Sequence, residues 1–423
     1  MIIRGGRLID PQNRMDEVRD IFIADGLIKP LPSEYDKKSC RIFDASGTIV
    51  VPGLVDLHVH FREPGAEYKE NIKSGSRAAA RGGYTSVCCM PNTIPVTDNK
   101  ETAEFVRSRG REAGLVNMYV AGALSKGQEG RELADYEGML QSGICALSDD
   151  GKTLMDEGLM YRAAERAKAL GLFISDHAEN HELSKGGVIN EGSVSARLAV
   201  RGIPNKAEAD IVARDIKLVR ELGCHIHFQH ISTKESLELI REAKREGLMV
   251  TAETAPHYFS LTDERVLHSG TNAKMNPPLR SEADRLAVIE AIKDGTIDAI
   301  ATDHAPHSVE EKAQSLEQAP FGVVGLETAF AVSYSALVLP GFITLHELIN
   351  LMCIKPAKIL KQACGLSYGA PADLAVFDID NSYTVDSGRF LSKARNTPFA
   401  GMTVYGQTLL TVCGGKISWE DAI

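Results

Sequence analysis

The segment Asp56-Leu57-His58-Val59-His60-Phe61-Arg62 sets two histidines and an arginine at alternate positions near the end of a long apolar run. Alternate residues of a strand face the same side, so this spacing predicts two imidazoles and a guanidinium aimed at one spot. A metal ion with an anion beside it would suit that spot. A His-x-His pair alone is a weak sign, because imidazoles on a strand face are commonly solvated or hydrogen-bonded. The remaining candidate ligands therefore matter: Asp149 and Asp150, His177, His230 and Asp303, each at the end of a further apolar run.

Those runs recur with a steady rhythm. Strands are predicted at 50–60, 84–90, 115–122, 143–149, 171–177, 224–230, 248–254 and 297–303, each followed by a stretch of helical periodicity such as Ile211-Val212 to Ile216 and Leu218-Val219, or Leu286, Val288-Ile289 and Ile292. Eight strand-helix units with near-continuous apolar strands predict an α/β fold, a (β/α)8 TIM barrel. An open doubly wound sheet is the alternative, but the Gly-Gly pairs at 82–83 and 186–187 lack the pattern of its nucleotide-binding turn. The two ends differ. Residues 1–50 and 366–423 carry short strands broken by Gly, Asp and Pro, and neither end has enough strands for a stable sheet. They are expected to pair into one composite β domain, a small β-sandwich, beside a barrel at 51–365.

Composition narrows the partners. The chain has 423 residues, 43% hydrophobic and 25% charged, with a net charge of -10. That suits a globular protein with a large core and argues against a nucleic-acid or anionic-membrane surface, both of which need clustered positive charge. No run reaches the ~18 apolar residues of a membrane span and the start lacks a secretory hydrophobic region, so a cytoplasmic location is expected. The eight cysteines show no C-x-x-C pairing and read as reduced, mostly buried thiols.

A barrel brings the C-terminal ends of its strands onto one face. There His58, His60, the Asp149-Asp150 pair, His177, His230 and Asp303 would converge. Singly, each has a bland reading as a hydrogen-bonded core histidine or a turn-forming aspartate; jointly they are the donor set of a two-metal hydrolytic site. Neutral imidazoles and carboxylates suit Zn2+, and one carboxylate can bridge two ions. Two such ions hold a hydroxide between them and polarise the carbonyl it attacks. A further carboxylate can carry the proton to the leaving group, and Asp303 fits that role. Only one of Asp149 and Asp150 can point inward. Lys152 is a nearby rival, read as a solvent-facing loop lysine.

Over nearly its whole length the sequence resembles the metal-dependent amidohydrolase superfamily, and within it the class I dihydroorotases. The resemblance is carried by Asp56 to Gly65, Met90-Pro-Asn92-Thr, Ser148-Asp-Asp150-Gly, Asp176-His177-Ala-Glu179, Gln229-His230-Ile-Ser232, Lys274-Met-Asn276-Pro-Pro-Leu-Arg280, Thr302-Asp303-His-Ala-Pro-His307 and Pro320-Phe321-Gly322. It implies that His58 and His60 hold one zinc, that His177 and His230 hold a second, and that Asp150 and a hydroxide bridge them. It further implies that His60, Arg62, Asn92 and His307 clamp a carboxylate-bearing substrate, while Asn276 and the backbone at Phe321-Gly322 read a ring amide. The long segment from Ala305 to Gly325 is expected to be a lid or binding element. Two positions depart from the family pattern, Asn180 after Ala178-Glu179 and Tyr258 after His257, and both bear on surroundings rather than on ligands.

The implied activity is a cyclic amide hydrolase, a dihydroorotase interconverting N-carbamoyl-L-aspartate and (S)-dihydroorotate in pyrimidine biosynthesis. The rivals are another cyclic amidohydrolase (hydantoinase, dihydropyrimidinase or allantoinase) and a catalytically silent scaffold homologue. A homodimer, and association with another enzyme of the pathway, are expectations from the family alone.

Overall fold

The protein is represented by a computed structural model describing residues 1–32 and 40–421. The rest of the predicted terminal β segments, 33–39 and 422–423, lies outside them.

Eight parallel strands form the central sheet: Leu54–Val59, Tyr84–Cys89, Asn117–Gly122, Ala146–Leu147, Phe173–Asp176, Ile226–Phe228, Val250–Thr254 and Ala299–Ile300, in that spatial order. The first and last edges meet through a parallel bridge between Val59 and His304, with the His60 N–H donating to the His304 carbonyl at 2.9 Å. The sheet is thus a barrel, and the strands are buried on both faces because helices cover the outside. Val55, Leu57, Cys88, Ala121, Ala146, Phe173, Ala299 and Ala301 form one apolar cluster, while the outward residues join the helices in the largest core cluster.

The helices follow from local chemistry. Thr233 caps Lys234–Arg245 by accepting from the Ser236 N–H, Glu235 lies in the first turn, and Lys244 and Arg245 lie in the last, matching the helix dipole at both ends. Lys206–Leu222 buries Ile211, Val212, Ile216 and Val219 as its periodicity predicts, and ends at Gly223, which takes the left-handed conformation of a C-cap. Removing a side-chain cap such as Thr233 would cost about 1 kcal/mol. No helix of the described residues is long and apolar enough to cross a membrane.

The segment predicted as one strand over 50–60 is two strands in two sheets. Ile49–Pro52 lies between Leu374–Thr384 and Arg7–Asp10 in a six-stranded sheet, and Leu54–Val59 opens the barrel. The break is at Gly53, where a Cβ would stand 2.1 Å from Thr85 Oγ1, so the chain can turn from one sheet into the other only without a side chain. Arg7–Asp10, Met15–Val18 and Ile49–Pro52 from the N-terminal part join Leu374–Thr384, Thr403–Cys413 and Lys416–Glu420 from the C-terminal part, so the two ends complete one sheet. A second, four-stranded sheet of Ile2–Arg4, Ile21–Ala24, Leu27–Lys29 and Ile42–Asp44 packs on it through a separate apolar cluster, giving the sandwich. Phe377 of the larger sheet stacks on Phe330 of the barrel's outer layer, with ring centroids 3.8 Å apart.

Candidate active site

The first strand delivers its histidines by an irregularity. Its pairing with Tyr84–Cys89 slips between Asp56 and Val59, where three steps on one strand oppose two on the other. Such a bulge reverses alternation locally. Val55 and Leu57 sit in the inner cluster, yet His58 also faces the interior, 5.1 Å between ring centroids from both His60 and His230. The strand ends at Val59, so His60 and Arg62 are not strand residues as predicted. Arg62 reaches the site from a left-handed backbone, φ 60°.

Two other site residues share that conformation. His230 has φ 33° and Asp303 φ 46°. In the strand before His230, His227 bonds Thr251 and Glu253 and Gln229 bonds Met90, all within the barrel. Plain alternation would therefore send His230 outward, and the unusual backbone turns it in. Non-glycine residues in this region cost about 1 kcal/mol or more, and such strain gathers at functional sites.

Two sets of potential ligands converge, His58, His60 and Asp150 in one and Asp150, His177 and His230 in the other, with their ligating atoms within 4.8 Å of one another in each set. Asp150 is common to both. Asp149 points away and accepts from the Leu124 and Ser125 N–H groups at 2.9 and 3.1 Å, and Lys152 is exposed.

The partners of three of the four imidazoles fix their tautomers. His58 Nδ1–H donates to Glu253 Oε1 at 3.0 Å, which leaves the Nε2 lone pair 3.3 Å from Asp150 Oδ1 and 3.6 Å from Asp303 Oδ1, with no hydrogen bond made. His60 Nδ1–H donates to Asn92 Oδ1 at 2.9 Å, turning Nε2 toward Asp303 at 3.0 Å and Asp150 at 3.5 Å. His177 Nε2–H donates to Glu179 at 3.1 Å and its Nδ1 lies 2.9 Å from His230 Nε2. Lone pairs and carboxylate oxygens thus face one another in a buried space. Only protons or cations between them make that favourable, so the donor set fits divalent metal. Burial opposes charge on Asp150, but the imidazoles of His58 and His60 hold its carboxyl well below the usual range. Burial opposes charge on His58 and His177 too, but Asp150 raises both, His177 to about 10, while burial and those two rings lower His230 to about 3; the metal-free cluster thus holds protons that a bound ion would displace.

A cavity of about 210 Å³ opens onto this cluster, lined by His60, Arg62, Asn92, Asp150, His177, His230, Asn276, Asp303, His307, Phe321 and Gly322. Of the residues expected from the sequence, only His58 is absent from its wall, lying fully buried behind it. Asn92 is already engaged: its Nδ2 donates to Asp150 Oδ2 at 3.0 Å while its Oδ1 accepts from His60. Arg62 Nε donates to the Pro306 carbonyl at 3.3 Å and Nη2 lies 3.5 Å from His307 Nε2. Gly322, with φ 133°, is held where a Cβ would come within 2.9 Å of the Ala305 carbonyl. Of the two departures noted in the sequence, Asn180 caps the short helix His181–Ser184, and Tyr258 donates its hydroxyl to the Pro277 carbonyl at 2.6 Å, bracing the loop that carries Asn276.

Sequence reasoning missed Glu253. It is 1% exposed and accepts from His58 on one oxygen and from His227 Nε2–H, at 3.1 Å, on the other. His227 Nδ1 in turn accepts from Thr251 Oγ1 at 2.9 Å, and Thr251 accepts from His225 Nε2–H at 2.9 Å. Every donor in this chain points toward Glu253. Burial works against its charge, yet the two imidazoles hold its carboxyl down at about 2. A glutamate inside a barrel strand was the available signal.

A family model described as dihydro-orotase-like matches residues 47–236. A dihydroorotase of Pelotomaculum thermopropionicum is 48% identical over 424 residues, covering 100% of this chain and 99% of the relative. One of Geobacter metallireducens is 47% identical, covering 99% of each. Among solved structures, the L-hydantoinase (dihydropyrimidinase) of Arthrobacter aurescens superposes with a TM-score of 0.86 at 27% identity, over 99% of this chain and 96% of that one. The D-hydantoinase of a Thermus species, TM-score 0.85 at 24% identity over 99% and 95%, shares the fold. Hydantoinases share the architecture, but identity of this order sustained from end to end is with dihydroorotases, and the chain belongs to the dihydroorotase family of the amidohydrolase superfamily.

Proposed function

We propose that the protein is a zinc-dependent dihydroorotase of the class I type, interconverting N-carbamoyl-L-aspartate and (S)-dihydroorotate in pyrimidine biosynthesis. The observation that carries this reading is Asp150 shared between two ligand sets, with Asp303 and Arg62 on the same cavity. His58 and His60 would hold one ion, His177 and His230 a second, and Asp150 would bridge them. Bound there, the ions supply Lewis acidity toward the ring carbonyl and a water ionised near neutral pH.

The chain's own groups do the rest. Arg62 offers a planar fork of donors to the substrate carboxylate, with His307 beside it. Asn276 and the Phe321-Gly322 backbone meet the ring amide. In the metal-free chain burial opposes charge on Asp303, but the imidazoles of His58 and His60 beside it outweigh that and hold it ionised, at about 2. In hydrolysis it takes the proton of the attacking water and delivers it to the departing ring nitrogen, and cyclisation runs the transfer in reverse. Ala305, His307, Phe321 and Gly322 of the segment 305–325 line the cavity.

Arg62 separates this reading from a hydantoinase or dihydropyrimidinase, whose substrates need no carboxylate. The test is zinc quantification with turnover of dihydroorotate against hydantoin, dihydrouracil and allantoin. Preference for an uncharged ring would overturn the assignment, and less than one zinc per chain with no activity would revive a silent scaffold. A homodimer, able to associate with a neighbouring enzyme of the pathway, accompanies the proposal as a family expectation, and a cytoplasmic location as an expectation from the sequence.

A further inference from the structure

Two lysines lie buried beside the cavity, and backbone carbonyls rather than carboxylates satisfy them. Lys274, 2% exposed, donates from Nζ to the carbonyls of Leu316, Glu317 and Ala319 at 2.7, 3.3 and 2.6 Å, with Nζ 4.4 Å from the centre of the Phe321 ring. Lys312, 6% exposed, donates to the carbonyls of Lys274, Pro320 and Gly322 at 3.1, 3.0 and 3.0 Å. The Gly322 N–H returns a bond to the Lys274 carbonyl at 3.0 Å. An ammonium has three N–H donors and no acceptor, so both are fully used.

This is a costly way to fill space. Burying a charge without a counter-ion is unfavourable, and an apolar side chain of the same length would occupy the volume without that penalty. Burial, reinforced by the Lys274 ammonium, pulls Lys312 down to about 7. What two ammonium groups add is direction. Segment 313–322 has no helix or strand to fix its carbonyls, and the lysines fix five of them. The same bonds tie that segment to Lys274, two residues before Asn276. Asn396 completes the arrangement from the other side, donating to the carbonyls of Ala305 and Gly322 at 3.0 and 2.9 Å.

We propose that Lys274 and Lys312 are positioning residues for substrate recognition: together they hold Asn276 and the Phe321-Gly322 backbone at a fixed separation across the cavity, so that one cyclic amide meets both at once. This rests on the reading above that these groups bind the substrate ring. The lysines touch no reacting atom and act through the backbone they fix. Because that contact is made to the bound ring as a whole, loosening it weakens binding more than it slows chemistry.

The experiment uses the full metal-loaded chain as Lys274→Met and Lys312→Met, which keep an unbranched side chain one atom shorter and lose the donors. The expected result is a KM for dihydroorotate raised by about tenfold or more in each, with kcat within about threefold and zinc content unchanged. Cleavage after Glu317 by a glutamate-specific protease should be faster in both variants and slowed again by saturating dihydroorotate. If a methionine variant does not fold, the corresponding glutamine variant, which keeps two N–H donors on a shorter arm, carries the same measurements, with a smaller rise in KM of about threefold or more expected. KM within twofold of wild type, or a loss confined to kcat or to zinc content, would overturn the proposal. Wild-type protein inactive on dihydroorotate would instead overturn the reading of the site.

Discussion

His58 and Glu253 are joined inside the barrel by a single bond, Nδ1–H to Oε1 at 3.0 Å, and that bond decides which nitrogen of His58 faces the ligand cluster. Glu253 is held in turn by His227. A carboxylate behind a ligating histidine fixes its ring and raises its basicity, and losing one commonly weakens metal binding about 10–100-fold. Glu253→Gln is expected to weaken zinc binding by that order in chelator competition, and His227→Phe to act in the same direction with smaller effect. Unchanged affinity in Glu253→Gln would remove the pair from the metal site.

Asp303→Asn should retain zinc and lose turnover. The amide preserves shape beside His60 but cannot accept and return a proton, so kcat is expected to fall by about 10²–10⁴. Near-normal rates would dismiss Asp303 as the proton carrier.

Arg62→Met tests substrate charge. Charge-assisted hydrogen bonds contribute about 1.5–3 kcal/mol, so KM for dihydroorotate should rise about 10–100-fold. Any weak turnover of dihydrouracil should be unaffected. Equal losses on both substrates would mean that Arg62 supports the loop through Pro306 rather than binding a carboxylate.

Metal should also stabilise the fold. Binding only the folded chain, zinc at 100 times its dissociation constant adds about 2.7 kcal/mol. A chelator should lower the melting temperature and added zinc restore it, whereas Asp150→Ala should show little of this response. Equal responses in the variant and wild type would show that Asp150 is no ligand.

Glu311 gives a pH signature away from the ligands. It pairs with Lys69 at 2.8 Å and accepts from the Tyr68 hydroxyl at 2.9 Å; burial opposes its charge, but Lys69 outweighs this and draws the carboxyl down to about 2. A carboxyl depressed on folding stabilises above its unfolded pKa of 4.5 and loses that contribution as pH falls toward 2. Glu311→Gln in the metal-free chain should therefore cost up to about 1 kcal/mol at pH 7, since the pair is partly screened by solvent. The gap in urea midpoint should narrow between pH 5 and pH 3; a constant gap would point to lost packing instead.

The order of strands and helices, the pairing of the two chain ends and the residue types of the site followed from the sequence, because periodicity and turn chemistry are local. The donor types also announced the reaction class, since few arrangements other than a metal site gather histidines and aspartates at successive strand ends. Tertiary structure decided the rest. Alternation left open whether Asp149 or Asp150 turns inward, and only the bonds from Leu124 and Ser125 to Asp149 separate them. It also could not foresee the bulge before Val59, which turns His58 inward beside Leu57, or the left-handed backbone of His230, which aims its ring against the alternation of His227 and Gln229. Glu253 and Lys274 acquire their roles from partners far away in the chain, His58 and Ala319, and Lys312 reaches the Lys274 carbonyl 38 residues back, contacts that no local pattern announces.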